Sequence, residues 1–282
     1  MILKKTVIII FAYNRPSHLK RVLIALENNK VKNDIYLIID GPKNKFDKIN
    51  QEDISLSLTR FSNKNKRIVK IIKRKTNLGL AKSITGGITY LSKKYQNLII
   101  LEDDTIAYKN FIRFVEKHLK LIKSSDNTQV ICGYQFPNFE KKTNTLKTLV
   151  LSNFVSWGWA IKSREWQAYL KFKKKNKKKN IKLVPNFLRN YFKDKYTIKQ
   201  KKNIWSLNFM YYNFIKGKKY IFPNTSLIKN IGFDGSGVNS KATTKLQVKE
   251  RKVNKFDFTK INSKILNNRQ TKIISKNLKL FY

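Results

Sequence analysis

Residues 97–106 read NLIILEDDTI, in which four apolar residues run into three adjacent carboxylates, Glu102, Asp103 and Asp104. The chain holds 61 Lys and Arg against 17 Asp and Glu, so three acids in a row stand out. One reading is a strand that ends in a solvated acidic turn. The other is an all-oxygen site for a divalent cation at the mouth of a sheet. Successive residues of an extended backbone point to opposite sides, so Asp103 and Asp104 are not expected to chelate one ion as equals. One would meet the ion while the other holds a sugar hydroxyl or braces the loop. Oxygen ligands suit Mg2+ or Mn2+. Zinc is not expected, since there is one cysteine, Cys132, and both histidines, His18 and His118, lie away from the carboxylates in sequence. An ion at this place could bridge a diphosphate and stabilise its charge as it leaves.

The elements that must position these acids alternate in type. TVIIIFAY (6–13) is a continuous β-rich apolar run, as for a strand covered on both faces. A helix follows, with Leu19, Val22, Leu23 and Leu26 at helical spacing and Ser17 as its expected N-cap. Further strands are expected at 35–40, 67–72, 97–101 and 128–136, and helices over GLAKSITGGITYLSKK and KNFIRFVEKHLKLIKSS. The paired Gly86 and Gly87 imply close packing against the first of those two helices. This alternation predicts an α/β layer architecture with a mostly parallel sheet flanked by helices. Such sheets bind ligands beyond the carboxyl ends of their strands. Tyr13-Asn14-Arg15-Pro16, Asp40-Gly41-Pro42, Thr76-Asn77-Leu78-Gly79 and the carboxylate triplet all fall at those ends, which favours the cation over the solvated turn. The second half is less regular. Aromatics cluster around Gly158, a helix is expected at 203–217 with a short strand after it, and 230–239 reads as a glycine-rich loop.

Composition bounds the answer further. With 282 residues and 41% hydrophobic content, the chain can bury a sizeable core. The single cysteine excludes an internal disulfide framework and fits a reducing compartment. No apolar run approaches the length of a spanning helix, so a cytoplasmic location is expected. The net charge of +44 has three readings: lysine-rich composition without a partner, attraction to anionic lipid at about 1 kcal/mol per well-placed cation, and nucleic-acid binding. Nucleic acid ranks last, because an acidic triplet without metal would repel phosphates. The densest basic run is KFKKKNKKKNIK at 171–182. A nucleotidyltransferase would share the sheet and the metal, but it usually wants an early phosphate-cradling glycine loop, and FAYNRPS has none.

The ordered segments FAYNRPSHLKRVLIAL, IIDGPK, NLGLAKSITGGI, IILEDD, SWGWA and NIGFDGSGV resemble the GT-A glycosyltransferases. Within that fold family they are most similar to bacterial enzymes related to N-acetylglucosaminyltransferase I, and the resemblance spans roughly residues 5–240. It implies a GT-A (Rossmann-like) fold with a nucleotide-sugar-binding half at 1–140 and an irregular acceptor-side half at 141–240, followed by a basic extension at 241–282. It also implies metal-dependent, inverting transfer of a sugar from a nucleotide-diphosphate donor, with a UDP-sugar expected. The acceptor would be a glycan or glycolipid hydroxyl in surface-polysaccharide assembly, with peripheral contact at the inner face of an anionic membrane and no nucleic-acid partner.

Carried over by motif, Tyr13, Asn14 and Arg15 would lie against the nucleotide, and Asp40 against its base or ribose. Asn77, Leu78, Gly79, Leu80 and Ser83 would line the nucleotide-sugar pocket. Glu102, Asp103 and Asp104 would form the variant Asp-X-Asp motif, with Asp104 the ligand of Mn2+ or Mg2+. Trp157, Gly158 and Trp159 would shape the acceptor cleft, with core packing the alternative for either tryptophan. An inverting transferase also needs a carboxylate base. Where relatives carry an acid beside a tryptophan, this chain has Asn203-Ile204-Trp205, and one turn on, Asn208. Asp234 in the glycine-rich loop is the substitute, and an Asp there would equally serve the turn itself. Glu165 follows it, with a capping or ion-pair role as its alternative, and Asn239 stands where relatives often have histidine. A homologue without full catalytic equipment is the remaining alternative.

Overall fold

In the computed structural model, which describes residues 4–65, 69–139, 143–176, 180–193, 204–236, 242–262 and 264–276, the first apolar run lies in β1 (Lys4–Ala12). Val7 to Ile10 are fully buried, which is why this strand reads as unbroken apolar sequence. There follow α1 (Pro16–Asn28), β2 (Asp34–Ile39), α2 (Lys45–Asn65), β3 (Val69–Lys73), α3 (Leu80–Leu91) and β4 (Tyr95–Glu102). These four strands are parallel, in the order β3-β2-β1-β4. Phe11 pairs with Glu102, Ala12 with Ile39, and Ile39 with Lys73. The register therefore brings four strand ends out level along one edge, and the chain winds to opposite sides of β1, making the switch point between β1 and β4.

The remaining elements are β5 (Thr105–Ala107), α4 (Phe111–Leu121), β6 (Thr128–Cys132), β7 (Thr145–Leu151), β8 (Trp159–Lys162), α5 (Ser163–Lys175), α6 (Asn186–Lys193), α7 (Trp205–Ile215), β9 (Lys219–Pro223), β10 (Ile228–Asn230), β11 (Lys255–Asn262) and α8 (Lys264–Lys276). Among the described residues the sheet has nine strands, ordered β11-β7-β9-β6-β8-β4-β1-β2-β3. β8 lies antiparallel between β4 and β6. β5 and β10 form a separate antiparallel pair that carries the chain away from the carboxylates and back to them. The second half is thus more regular than its sequence suggests, and part of the basic tail joins the sheet as β11. No described helix is long and apolar enough to cross a membrane.

Several local expectations need correction. Ser17 is not an N-cap: α1 begins at Pro16, and Arg15, the residue before it, makes no side-chain cap. Proline at the first helical position has no N–H to satisfy and presets φ. The strand expected over 128–136 ends at Cys132, and the helix expected at 203–217 covers Trp205–Ile215, with Asn203 outside the described residues. α2 gave no clear sequence signal, because its buried Ile54, Leu58 and Phe61 are diluted by polar neighbours. The close packing expected at the paired glycines is found at Gly87. A Cβ there would lie 2.5 Å from Ile38 Cδ1 and 2.7 Å from Phe11 Cε1.

His118 on α4 is fully buried between Phe114 and Phe258. Its Nδ1 is 2.8 Å from the Phe114 carbonyl and its Nε2 2.9 Å from Thr148 Oγ1. Burial pushes its pKa down from 6.5 to about 4, so the folded protein keeps it neutral where the unfolded chain protonates it. Stability from this residue is complete above pH 6.5 and falls as pH drops toward 4, by up to roughly 3 kcal/mol. Urea unfolding across that window should show a weaker pH dependence in His118→Gln than in the wild type. An identical slope in both would contradict this assignment.

Candidate active site

The chain turns immediately after β4, where the Glu102 carbonyl accepts from Thr105 Oγ1 at 2.9 Å and the Glu102 N–H donates to the same hydroxyl at 2.8 Å. That turn alters the expected geometry of the two aspartates. They do not point to opposite sides; both face Arg15, whose Nη2 lies 2.5 Å from Asp103 Oδ1 and 3.0 Å from Asp104 Oδ2. The other oxygen of Asp103 accepts the Tyr13 N–H at 3.2 Å. Asp103 is therefore buried and engaged on both oxygens, whereas the Asp104 side chain keeps 15% of its surface exposed.

Crowding and burial raise two of these carboxylates. Burial, then Asp104 and Asp103, push Glu102 up to about 8. Burial also lifts Asp103 to about 6, with Arg15 opposing and Asp104 reinforcing. Although burial disfavours its charge, Arg15 is held firmly protonated by Asp103 and Asp104. Arg15 is a single cation set against these three acids. Among the described residues no group of three Asp, Glu, His or Cys side chains is arranged to hold a metal ion. The donor set does suit one ion that draws its other ligands from a bound molecule: Asp104 offers a partly open carboxylate, and extra positive charge would relieve the repulsion.

Around this centre the strand-end loops brace one another. Asp47, at the start of α2, is buried. It accepts from the Tyr13 hydroxyl, from Asn14 Nδ2 at 2.6 Å and from the Lys43 N–H at 3.0 Å. Against the effect of burial, these bonds hold its carboxyl below the usual range. The sequence reading missed Asp47. Its signal was Asn44-Lys-Phe-Asp47, in which the Asn44 side chain caps the Asp47 N–H at 2.8 Å.

Asp40 needs correction as a nucleotide contact. It is buried, and its carboxylate accepts from the N–H groups of Gly41, Leu78 and Gly79 at 3.0, 2.9 and 2.8 Å. It ties the loop after β2 to the loop after β3, as does Asn77, whose Nδ2 donates to the Gly41 carbonyl at 2.8 Å. A side chain at Gly41 would overlap the Thr76 backbone. Gly79, the residue before α3, has φ +77°, a conformation glycine tolerates best. Leu80 is exposed on that helix and Ser83 is buried on it.

The glycine-rich loop closes on the same centre from the second half. The Ile231 N–H donates to the Asp104 carbonyl at 2.9 Å, and a side chain at Gly232 would overlap the Asp104 carboxylate. Asp234 Oδ2 lies 3.0 Å from Nε2 of the largely buried His18. Its Oδ1 accepts from Ser236 N–H and Oγ at 2.9 and 2.6 Å, and its side chain is 46% exposed. The Ser236 hydrogen bonds, opposed by burial and aided by His18, hold the Asp234 carboxyl below its ordinary range. Asn239 lies outside the described residues.

Two expected site residues fall elsewhere. Trp159 is fully buried among Phe154, Trp166, Trp205 and Phe209, so it belongs to the core and not to an acceptor cleft. Glu165 sits at the opposite end of the sheet, because β8 runs antiparallel to β4 and carries the chain away from the carboxylates. It is buried, with Tyr212 donating to Oε1 at 2.8 Å and Lys218 Nζ 2.6 Å from Oε2, an ion pair that removes it as a base. Trp157 remains near the loop, edge-on to Tyr134 and to Phe233. Gly158 has φ +61°, and a side chain there would strike Ile228.

Paired aspartates thus stand at the carboxyl edge of a mainly parallel sheet. The family model described as glycosyl transferase family 2 matches residues 7–203, and the chain belongs to that family. No curated protein matches the sequence. Among solved structures, glucosyl-3-phosphoglycerate synthase from Mycobacterium tuberculosis, in complex with Mn2+, UDP and glucosyl-3-phosphoglycerate, is 8% identical with a TM-score of 0.37, over 57% of this chain and 58% of that one. The glycosyltransferase GlyE of Streptococcus pneumoniae TIGR4 is 12% identical with a TM-score of 0.39, over 78% and 45%. The galactosyltransferase LgtC, in complex with donor and acceptor sugar analogues, is 7% identical with a TM-score of 0.37, over 61% and 65%. In each case the match spans less than two thirds of the other chain.

Replacing Asp47 by alanine leaves the Tyr13 hydroxyl, the Asn14 amide and the Lys43 N–H without their acceptor. Asp47→Ala should cost roughly 1–3 kcal/mol in denaturant unfolding. Unchanged stability would show that Asp47 does not brace this loop.

Proposed function

We propose that this glycosyltransferase moves a sugar, with inversion, from a nucleoside-diphosphate donor to an acceptor hydroxyl, and that the donor is a UDP-sugar. The observation that carries the reading is the division of labour between the two aspartates. Arg15 and Tyr13 hold Asp103 fixed and buried, while Asp104 stays partly open at the switch point of the sheet. Asp104 would hold Mn2+ or Mg2+, which when bound neutralises charge on the leaving diphosphate. Arg15 keeps Asp104 aimed and adds a fixed positive charge beside it. Tyr13 and Asn14, locked by Asp47, form a wall for the nucleotide, and the loop at 77–80 with Ser83 forms the other side of its pocket.

Asp234 is the proposed base. The Ser236 hydrogen bonds keep it ionised, and it is exposed enough to meet an acceptor. As the acceptor oxygen bonds to the anomeric carbon, the bond from that carbon to the diphosphate oxygen breaks. The hydroxyl proton passes to an Asp234 oxygen and on to solvent. His18 stands beside this carboxylate on α1, its Nε2 within 3.0 Å but without hydrogen-bond geometry. Trp157 and Gly158 support the loop on the acceptor side. The acceptor is a glycan or glycolipid of surface-polysaccharide assembly, and the +44 charge favours work at the inner face of an anionic membrane.

Calorimetric titration should show UDP binding more tightly with Mn2+ than without it, and Asp104→Ala should lose that gain while remaining folded. No binding of any nucleoside diphosphate under any divalent ion would overturn the proposal. Asp234→Asn should lower kcat by roughly 10²–10⁴-fold with UDP affinity unchanged. His18→Asn should lower kcat less and leave UDP affinity alone. Wild-type turnover in Asp234→Asn would move the base elsewhere.

A further inference from the structure

At the far end of α1 from the carboxylates, a cleft of about 430 Å³ opens between the α1–β2 turn, α4 and β11. Lys30 and Lys32 line it from the turn, and Arg113, Lys117 and Lys120 from α4. Five of its eleven lining residues are cationic, against 61 of 282 in the whole chain, so the clustering exceeds the general lysine richness. The one acid in the lining, Glu116, has Oε1 taken by the Asn33 amide at 3.0 Å.

Two features fix cations at this place. The Arg113 guanidinium stands over the Phe256 ring, 3.7 Å from its centre, which restrains it, and among the described residues its N–H donors make no hydrogen bond. Lys30 has φ 49° in the turn that ends α1. There its N–H donates to the Glu27 carbonyl at 2.8 Å and the Val31 N–H to the Leu26 carbonyl at 3.5 Å. Glycine normally takes that left-handed position; here a lysine of the cleft holds it against backbone strain.

We propose that this cleft binds a phosphate-bearing anion, independently of the carboxylate centre. α1 has 13 residues, so the two sites lie about 20 Å apart. A phosphate offers several oxygens to a guanidinium fork and converging ammonium groups, which makes short, charge-assisted bonds. A phospholipid headgroup and a soluble phosphate share this chemistry, and the test separates them.

The whole chain, free of divalent metal, is titrated with pyrophosphate and co-sedimented with phosphatidylcholine vesicles, with and without phosphatidylglycerol. Arg113→Glu/Lys117→Glu is compared with Lys171→Glu/Lys174→Glu, an equal charge change at exposed positions of α5. The cleft variant should lose about tenfold or more for whichever probe the wild type binds, while the α5 variant and Asp104→Ala retain most of the binding. Lys30→Gly should raise the melting temperature and still bind more weakly, a combination that a misfolded variant cannot give. Binding to phosphatidylglycerol vesicles alone assigns a headgroup, and binding to pyrophosphate a soluble phosphate. Equal losses in both charge-reversed variants, or no wild-type binding of either probe, would overturn the proposal.

Discussion

The Arg15 guanidinium, held between Asp103 and Asp104 at the mouth of the sheet, is the contact on which the other site geometry depends. Taking an arginine and two aspartates out of water costs several kcal/mol per ion, repaid only where geometry and extra hydrogen bonds are good. Here the register of β1 against β4 supplies the geometry, because Phe11 and Glu102 are paired and the two chains leave the sheet side by side. The Tyr13 N–H supplies an extra bond to Asp103. Without Arg15, three crowded acids would meet at a partly dry strand end. With it, Asp103 is held on both oxygens while the Asp104 carboxylate stays partly exposed.

Backbone proximity extends that constraint to the rest of the site. Gly41 lets the loop after β2 touch the Thr76 backbone, and Asp40 then fastens both loops through three N–H bonds. Gly232 lets the glycine-rich loop reach the Asp104 carboxylate, and the Ile231 N–H ties that loop to Asp104's own carbonyl. The two halves of the chain therefore meet at Asp104. Asp234 and His18 face each other across that junction, so the second half brings a carboxylate to a centre built by the first.

Much of this was legible in the sequence because parallel strands buried on both faces are written as apolar runs, and their loops collect polar residues at one edge. The four strand-end motifs and the glycine-rich loop do converge. What sequence could not supply was orientation. Asp40, at a strand end, turns inward to backbone N–H groups, because a carboxylate beside three donors is better satisfied by them. Trp157 and Trp159 are two residues apart and both buried, yet Trp157 packs on Phe233 of the glycine-rich loop while Trp159 sits among Phe154, Trp166, Trp205 and Phe209, and Gly158 between them has φ +61°. Glu165 is removed by the antiparallel insertion of β8, a topology that no local pattern announces. Asp47 was hidden in a helix whose apolar stripe is too diluted to read.

The central claim is that Asp104 and the groups around it serve transfer from a nucleotide-sugar. Its most direct measurement is release of nucleoside diphosphate from a panel of nucleotide sugars, with Mn2+, by the wild type and by Asp104→Ala. The account predicts release from at least one donor by the wild type, UDP-sugars foremost, and loss of that release in the variant. No release from any donor by folded wild-type protein, or equal release by Asp104→Ala, would contradict it.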